Sequence, residues 1–324
     1  MKKNIILFII ILLLQILSRI ESFATIYAKY SSLIFVNIIG QLSNLFPFSI
    51  FEWLVIFFIL LLIYFIYRYR SLEIIIRYVL VLCLIFTLTT GIHYHRQSIE
   101  KDLQFTKLNY TNTDLENLCK FIINKLFTLE VEPITQTEMK QESRKAMNSI
   151  IPAYYPRPKP MFFSKLMSSS GLTGIFSPFT IEANYNKDIH PFNIPFTMCH
   201  ELAHLQGYMS EDEANFLAYL SCTSSSNDYV KYSGYLTAFI YITNELYSLN
   251  VDVNKYYAQL PKSTLNDLKA DQDYWNNYNG TLSTVTNTVN DSYLKMNSVE
   301  EGVISYQRFV GLIYSYYKHN GYTL

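Results

Sequence analysis

Two histidines and a glutamate near the middle of the chain have the types and spacing of a metal-assisted hydrolytic site. His200, Glu201 and His204 form the pattern His-Glu-x-x-His. Histidines four residues apart project from one face of a helix, and two neutral imidazoles at this spacing can bind one Zn²⁺ ion. A glutamate after the first histidine lies beside that ion and can accept a proton from the water that the ion activates. The pattern predicts zinc as cofactor, His200 and His204 as metal ligands and Glu201 as the catalytic residue.

The residues around the motif predict that its helix is buried. Pro195 suits the first turn of a helix, and Phe196, Leu202 and Leu205 make the surface around the motif apolar. Buried imidazole and carboxylate groups need partners. A surface helix that carried the same residues by chance would leave them in water. The apolar context therefore favours a metal site over a chance occurrence of the pattern.

A catalytic zinc ion usually has three protein ligands and one open position, and the third ligand is predicted on the next helix, after Ser210. We expect Glu211 to bind the ion, because Asn215 follows on the same face one turn later and can orient a ligand histidine. Glu213 is the alternative ligand. The acidic residues at 211–213 could also be the charged first turn that a helix dipole favours.

The motif and the helix after it resemble the zincins, and specifically the gluzincins, in which a glutamate on the second helix completes the zinc site. Glu211 matches that glutamate, whereas Asn215 stands where gluzincins usually have aspartate. More broadly, the chain resembles a bacterial family of membrane-anchored proteins of unknown function that share this zinc-peptidase motif. The resemblance implies a peptidase fold outside the cytoplasm and no particular substrate. It runs through the membrane segments and residues 178–184, 200–215, 232–235 and 302–306.

Two further parts of a peptidase site are predicted. Residues 174–186 are β-branched and aromatic in character and predict one or two short strands. An exposed strand next to the metal helix could pair with an extended peptide, although an ordinary sheet strand is the alternative. Tyr232 and Tyr235 are candidates for stabilising the oxyanion of the transition state. The chain has 28 tyrosines, so this choice stays open.

Three apolar segments near the N-terminus predict transmembrane helices, at about 5–20, 50–67 and 74–92. Each approaches the roughly 20 residues that cross a bilayer, and the second is apolar on every face, unlike a surface helix. Lys2 and Lys3 precede the first segment, and Arg68 and Arg70 follow the second, so these ends are predicted to lie in the cytoplasm. Residues 21–49 would then form an outside loop. A cleaved signal peptide is the alternative for the first segment.

The expected architecture is a membrane region at residues 1–93 and an extracytoplasmic, mainly helical α+β zincin-like domain at residues 94–324, on a bacterial cell membrane. The expected partners are the lipid bilayer and a peptide or protein substrate. With 26 basic and 26 acidic residues, the chain lacks the basic excess of nucleic-acid-binding proteins. Helices are predicted at 113–127, 137–150, 229–249 and 303–317, and irregular structure at the proline-rich segment 152–160.

Two questions remain open on the sequence alone. Cys199 and Cys222 lie on the two helices of the predicted site and could form a disulfide outside the cell or remain buried thiols. The function could also belong to another class, namely a non-catalytic membrane receptor or sensor with a structural zinc site, or a membrane scaffold without metal. A fourth protein ligand would favour the sensor, and an open position would favour the enzyme.

Overall fold

The computed structural model describes residues 1–278 and 305–322 of the 324-residue chain, and these are mostly helical. The helical part of the predicted fold is confirmed, whereas the only sheet among the described residues is small. The strands are β1 (Lys159–Pro160), β2 (Gly174–Ser177) and β3 (Glu182–Tyr185), in the order β1-β3-β2. The helices are α1 (Lys2–Ser18), α2 (Glu21–Ser43), α3 (Ile50–Tyr69), α4 (Leu72–Thr89), α5 (Ile99–Asp102), α6 (Asn112–Phe127), α7 (Gln136–Ile150), α8 (Ser164–Ser169), α9 (Asn193–Leu205), α10 (Glu211–Ser224), α11 (Asp228–Ser248), α12 (Asn254–Tyr257), α13 (Lys262–Asn276) and α14 (Ser305–His319).

Helix α2 corrects the prediction of an outside loop at residues 21–49. It contains a π-helical turn at Val36–Gly40. By length and composition, α2, α3 and α4 could each cross a membrane. Helix α1, which contains most of the predicted segment 5–20, has 17 residues and is not among these three. Only 6% and 11% of the most apolar windows of α3 and α4 are buried, compared with 33% in α2. Helices α3 and α4 therefore present apolar surface all round, whereas α2 packs one face against the rest of the protein.

The predicted third membrane segment extends three residues too far. Helix α4 ends at Thr89, and a 3₁₀ helix follows at Gly91–His95. Ile92 and His93 are buried in this turn, and His93 Nε2 lies 2.8 Å from Ser31 Oγ of α2. The end of the apolar run is thus buried inside the protein. An apolar composition fits burial in protein and burial in lipid equally, so the sequence alone could not separate the two.

Two carboxylates join the start of α3 to the small sheet. Glu182 of β3 accepts hydrogen bonds of 3.2 and 3.0 Å from the first two backbone N–H groups of α3. Glu52 of α3 in turn accepts two bonds of 2.8 Å from the backbone of residues 162 and 163. Lys159 of β1 forms a buried ion pair with Glu182. Charge-assisted capping of this kind fixes the sheet relative to the membrane helix.

Local sequence accounts for the helices that support the site. Thr111 and Asp114 form a capping box at the start of α6, and Thr135 and Glu138 form another at the start of α7. These boxes satisfy backbone N–H groups that a helix start leaves unpaired. The predicted helices at 113–127, 137–150 and 229–249 are observed within one residue at each end. The predicted helix at 303–317 begins outside the described residues, and its described part belongs to α14. Most of the segment 302–306 also lies outside the described residues.

The prediction of the strands is confirmed in part. The strands β2 and β3 lie within the predicted strand segment 174–186 and pair antiparallel. Strand β1 corrects the expectation that residues 152–160 are irregular, because its two residues pair parallel with β3. In the part of the chain that the structure describes, β2 is an edge strand with one free side. The same strand packs against the motif helix α9, where Gly174 approaches Glu201 and Thr197.

Candidate metal centre

The helices α9 and α10 bring His200, His204 and Glu211 together, with their ligand atoms all within 4.8 Å of one another. The two Nε2 atoms are 3.1 Å apart, and His200 Nε2 is 3.1 Å from Glu211 Oε2. His204 Nε2 lies 3.9 Å from Glu211 Oε1. Ligands of a tetrahedral zinc ion at 2.0–2.1 Å would be about 3.3 Å apart. The three side chains therefore fit a zinc ion.

The second nitrogen of each imidazole has its own partner. His200 Nδ1 lies 2.8 Å from Asn215 Oδ1, and His204 Nδ1 lies 2.6 Å from the carbonyl oxygen of Tyr208. An acceptor at Nδ1 holds the proton there and leaves the Nε2 lone pair free for a metal. Asn215 therefore makes the contact expected of it, even though gluzincins usually have aspartate at this position.

The structure separates Glu211 from the alternative ligand Glu213. Glu213 is buried on the far side of the first turn of α10, where its Oε1 accepts a 3.0 Å hydrogen bond from the backbone N–H of Ile99. Its contribution is thus to hold α5 against α10. Ser210 precedes α10, and its hydroxyl donates to the carboxylate of Asp212 and makes no capping bond to the backbone.

Glu201 is buried beside this cluster and is 4% exposed. Its Oε2 has no hydrogen-bond partner among the residues that the structure describes. A Cβ atom added to Gly174 of β2 would lie 2.4 Å from Glu201 Oε1 and 2.7 Å from Thr197 Cγ2. Only a glycine allows the strand to approach Glu201 so closely. The carboxylate therefore lies between the histidine face of α9 and the edge strand, with one oxygen free to bind another molecule.

The protonation of the four side chains depends on burial and on one another. Burial raises the pKa of Glu201 to about 8 and lowers the pKa of His204 to about 4. Burial also disfavours the charged forms of His200 and Glu211, but their mutual hydrogen bond and charges outweigh it. They raise the pKa of His200 to about 9 and lower the pKa of Glu211 to about 2. A bound cation would displace the proton of His200 and would favour ionised Glu201.

The loop after α9 holds His204 through a contact that sequence reasoning missed. The guanidinium of Arg96, which follows the last membrane helix, lies 3.8 Å from the centroid of the Tyr208 ring and donates a 3.1 Å hydrogen bond to the carbonyl of Gln206. Asp102 pairs with Arg96 at 2.6 Å and accepts from the Tyr208 hydroxyl at 2.9 Å. Because the carbonyl of Tyr208 contacts His204, these groups position the ligand. Arg96 and Asp102 are far from this loop in the sequence, so no local pattern predicts that they contact it.

The tyrosines proposed from the sequence make other contacts. Tyr232 donates a 2.7 Å hydrogen bond to Asp267, and the Tyr235 ring packs edge-to-face against Tyr219 at 6.1 Å. Neither contact involves the metal-binding side chains. The role of Tyr232 and Tyr235 in stabilising an oxyanion therefore stays a prediction from the sequence alone.

Close packing between α10 and α11 keeps the site helices together. Cys199 and Cys222 are both buried free thiols, with their sulfur atoms 3.7 Å apart. A Cβ atom on Gly234 of α11 would lie 2.6 Å from Cys222 Cβ, so glycine permits this approach. Next to it, Ser233 Oγ accepts a 3.0 Å bond from the backbone N–H of Phe196 in the first turns of α9. The segment 232–235 thus supports the motif helix.

Gly174→Val should displace the Glu201 carboxylate and weaken any hydrolysis at this site, while His200, His204 and Glu211 remain. The added side chain would occupy the space of the Glu201 carboxylate and displace it or the edge strand. We expect hydrolysis to fall at least tenfold, with zinc content measured by plasma mass spectrometry unchanged. Gly311→Ala is a control for glycine replacement away from the site, because its added Cβ would make only an ordinary 3.4 Å contact with the Tyr110 ring. Full activity of Gly174→Val would show that the close approach is not needed.

The fold and the site define a mostly helical protein with apolar helices suited to a membrane and a buried cluster of two histidines and a glutamate. Residues 27–314 match the family described as "Protein of unknown function (DUF3810)". The match covers most of the chain, so the protein belongs to this family. No curated protein and no solved structure matches the chain significantly. The family carries no assigned function, and the chemistry must therefore be inferred from the site.

Proposed function

We propose that this protein is a membrane-anchored zinc peptidase that hydrolyses peptide bonds outside the cytoplasm. The observation that carries the proposal is the buried, unpartnered oxygen of Glu201 beside three side chains that fit a zinc ion. A buried carboxylate without a partner is costly for stability. A structural metal site has no use for such a group, whereas hydrolysis needs a base at that position.

Each side chain has a distinct task in the proposed reaction. His200, His204 and Glu211 would hold the ion, and zinc bound there would activate water and polarise the carbonyl of the scissile bond. Glu201 accepts the proton of the attacking water and then donates it to the nitrogen of the leaving amine. Gly174 lies against the Glu201 carboxylate, where any side chain on the strand would collide with it.

The number of protein ligands favours the enzyme over a receptor or sensor with structural zinc. In residues 1–278 and 305–322, the cluster contains three side chains, and no further histidine, cysteine, aspartate or glutamate joins it. Structural zinc sites almost always have four protein ligands, whereas catalytic sites keep one position for water or substrate. A three-ligand cluster with a neighbouring base therefore supports hydrolysis.

The free edge of β2 offers a binding surface for a peptide. Phe176 of this strand lies with its ring 6.1 Å from the His204 ring, so the strand runs past the metal-binding side chains. An extended peptide can add to such an edge through backbone hydrogen bonds, which do not depend on the side chains of the peptide. This supports a peptide as the substrate, bound with its scissile bond next to Glu201.

Cleavage of a peptide library by the purified full-length protein tests the proposed activity. The library should be incubated with protein in bilayer nanodiscs, and products should be identified by mass spectrometry. We expect cleavage that a zinc chelator removes and that added zinc restores, because metal binding is reversible and the three ligands belong to the protein. Cleavage that persists in the chelator would come from another enzyme, and absence of cleavage with zinc bound would favour the sensor.

The orientation of the protein is a second expected result. The N-terminal amine pairs with Glu73, and Asn4 Oδ1 accepts a 3.1 Å bond from Arg77, so the start of α1 and the link between α3 and α4 lie at the same end. Basic residues gather at that end, which favours the cytoplasm. A tag after Leu324 should be accessible in intact cells, and one inserted after Arg70 should not. Protection of the C-terminal tag would invert the proposed topology.

A further inference from the structure

The connections of α2 show that it does not cross the bilayer beside the other three membrane helices. Helix α1 ends next to the domain, since Gln15 Nε2 would be 3.4 Å from a Cβ on Gly91 in the turn after α4. Helix α3 begins at the domain, because Glu182 caps its first turn. The helix between these two points starts and ends on the same side. It therefore lies along the domain.

Contacts along the whole of α2 support this arrangement. At its start, Thr25 Oγ1 accepts a 2.8 Å bond from the backbone N–H of Gln97. At its end, Lys159 donates to the carbonyl of Ser43 at 2.5 Å. In the middle, a Cβ on Gly207 of the domain would lie 2.8 Å from Ser32 Oγ. A helix of 23 residues is about 35 Å long, and it touches the domain at both ends and in the middle.

The two faces of α2 are reversed relative to a helix on a water-soluble protein. The face against the domain carries small or polar residues, whereas the face directed away from it carries large apolar residues that are 48% to 60% exposed. The buried residues are Ala24, Ala28, Ser31, Ser32, Val36, Gly40 and Ser43, and the exposed large apolar ones are Ile26, Tyr30, Leu33, Ile34, Ile38 and Leu42. Lys29 and Gln41 are also exposed, and Glu21 and Ser22 are exposed at the start of the helix. An apolar stripe that faces outward over the whole helix needs an apolar environment.

The lipid bilayer is the environment that fits this stripe. The stripe connects α1 with α3, both of which expose apolar side chains all round. Beyond α3, Phe162 and Leu166 extend the apolar surface onto the domain at 67% and 59% exposure, with the Phe162 ring 6.5 Å from Trp53 of α3. An amphipathic helix next to membrane helices lies in the interface with its apolar face in lipid.

The loop that follows the helix of the candidate metal centre packs against α2. A Cβ on Gly207, three residues after His204, would lie 2.8 Å from Ser32 Oγ and 3.5 Å from Ala28 Cβ of α2. The turn between β2 and β3 also reaches the membrane helices, since the Phe179 ring is 5.6 Å from the Phe58 ring of α3. The loop after the metal helix and the end of the edge strand therefore both rest on elements that contact lipid.

We propose that the metal centre acts on polypeptide segments held close to the membrane, namely the juxtamembrane segments of proteins anchored in the same bilayer. The proposal rests on the peptidase function above. A helix with side chains is about 10–12 Å thick, so roughly one helix diameter separates the site from the lipid-facing surface. An extended chain that rises about 3.3 Å per residue covers this distance in roughly four residues. The cleaved bond is therefore expected within about four to eight residues of the bilayer.

A lipid-anchored peptide with two copies of one cleavable segment tests the distance directly. Each peptide carries a randomised eight-residue segment next to a phospholipid anchor and the same segment again after a 40-residue Gly/Ser spacer. The peptides are incorporated into phosphatidylcholine–phosphatidylglycerol vesicles that contain the full-length protein. Both copies share one membrane and one concentration, and Glu201→Gln protein provides the blank. Mass spectrometry reports which copy is cut.

The account predicts that the copy next to the lipid is cleaved at least tenfold more often than the distant copy. A flexible 40-residue spacer has a mean end-to-end distance of about 35 Å, which carries the distant copy well above the site. Equal cleavage of both copies, or preference for the distant one, would overturn the membrane-proximal specificity and leave the peptidase function standing. Cleavage of neither copy would overturn both proposals.

Discussion

Glu201→Gln should retain zinc and lose peptide hydrolysis by about 10²–10⁴-fold, the usual effect of removing a general acid–base group. Glu201 lies outside the cluster of three potential ligands, so metal binding should not change. Glutamine keeps the size and shape of the side chain but cannot accept the proton of water. One residue serves two proton transfers in the proposed reaction, which places the expected loss at the upper end of this range. That loss corresponds to about 5 kcal/mol of transition-state stabilisation.

Glu213→Gln is the matched control for this variant. Glu213 is also a buried glutamate near the site, and glutamine can still accept the hydrogen bond from the backbone N–H of Ile99. We expect hydrolysis by Glu213→Gln to stay within a few-fold of wild type. Product formation from the peptide library is the measurement, with zinc content determined on the same samples. Activity retained in Glu201→Gln would show that another group acts as the base.

His200→Ala and His204→Ala should each reduce bound zinc from about one ion per chain to nearly none. Each imidazole supplies one of three protein ligands, and two ligands rarely hold zinc against a competing chelator. Glu211→Ala should also weaken binding strongly. Asn215→Ala should weaken it less, because Asn215 touches His200 and not the ion. Inductively coupled plasma mass spectrometry after dialysis against a weak chelator gives the metal content.

A folding control is needed for the histidine variants, because His204 is buried against the loop after its helix. Thermal unfolding followed by circular dichroism should show that the helical content is retained at the assay temperature. Full zinc occupancy in both histidine variants would contradict the assigned site. Normal binding in Glu211→Ala combined with loss in Glu213→Gln would move the third ligand to Glu213.

The cluster of His200, His204 and Glu211 could be predicted because its members are close in the sequence. His200 and His204 are one helical turn apart, and Glu211 follows after a single tight loop, so local geometry determines most of their arrangement. The choice between Glu211 and Glu213 followed from which face of the second helix carries Asn215. The capping residues Thr111 and Thr135 are likewise local features, because the partner of each lies only three positions later in the sequence.

The contacts that surround the cluster depend on long-range packing and could not be predicted. Gly174 touches Glu201 across 27 positions of the chain, and Arg96 reaches the loop after α9 across 110. A glycine within a predicted strand could have indicated a close approach of another group, but not which group. Arg96 gave no signal, since one basic residue after a membrane segment is usually solvated.

Helix α2 was predicted as a loop and not as a helix on the domain surface. The spacing of its apolar residues is compatible with an apolar face directed to the core and equally with one directed away from it. The apolar residues from Ile26 to Leu42 repeat at helical spacing, but such a pattern normally directs the apolar face to the core. Here small residues such as Ala28 and Ser32 face the domain and the apolar stripe faces away. Only the positions of the neighbouring helices favour lipid as the environment of the stripe.

A structure of the full-length protein determined with zinc bound would show which group occupies the fourth coordination position of the ion. The account predicts an ion held by His200, His204 and Glu211, with a water molecule in the fourth position and within hydrogen-bonding distance of Glu201. A fourth protein side chain on the ion would contradict the account and indicate a structural site, and so would zinc bound anywhere other than at these three residues.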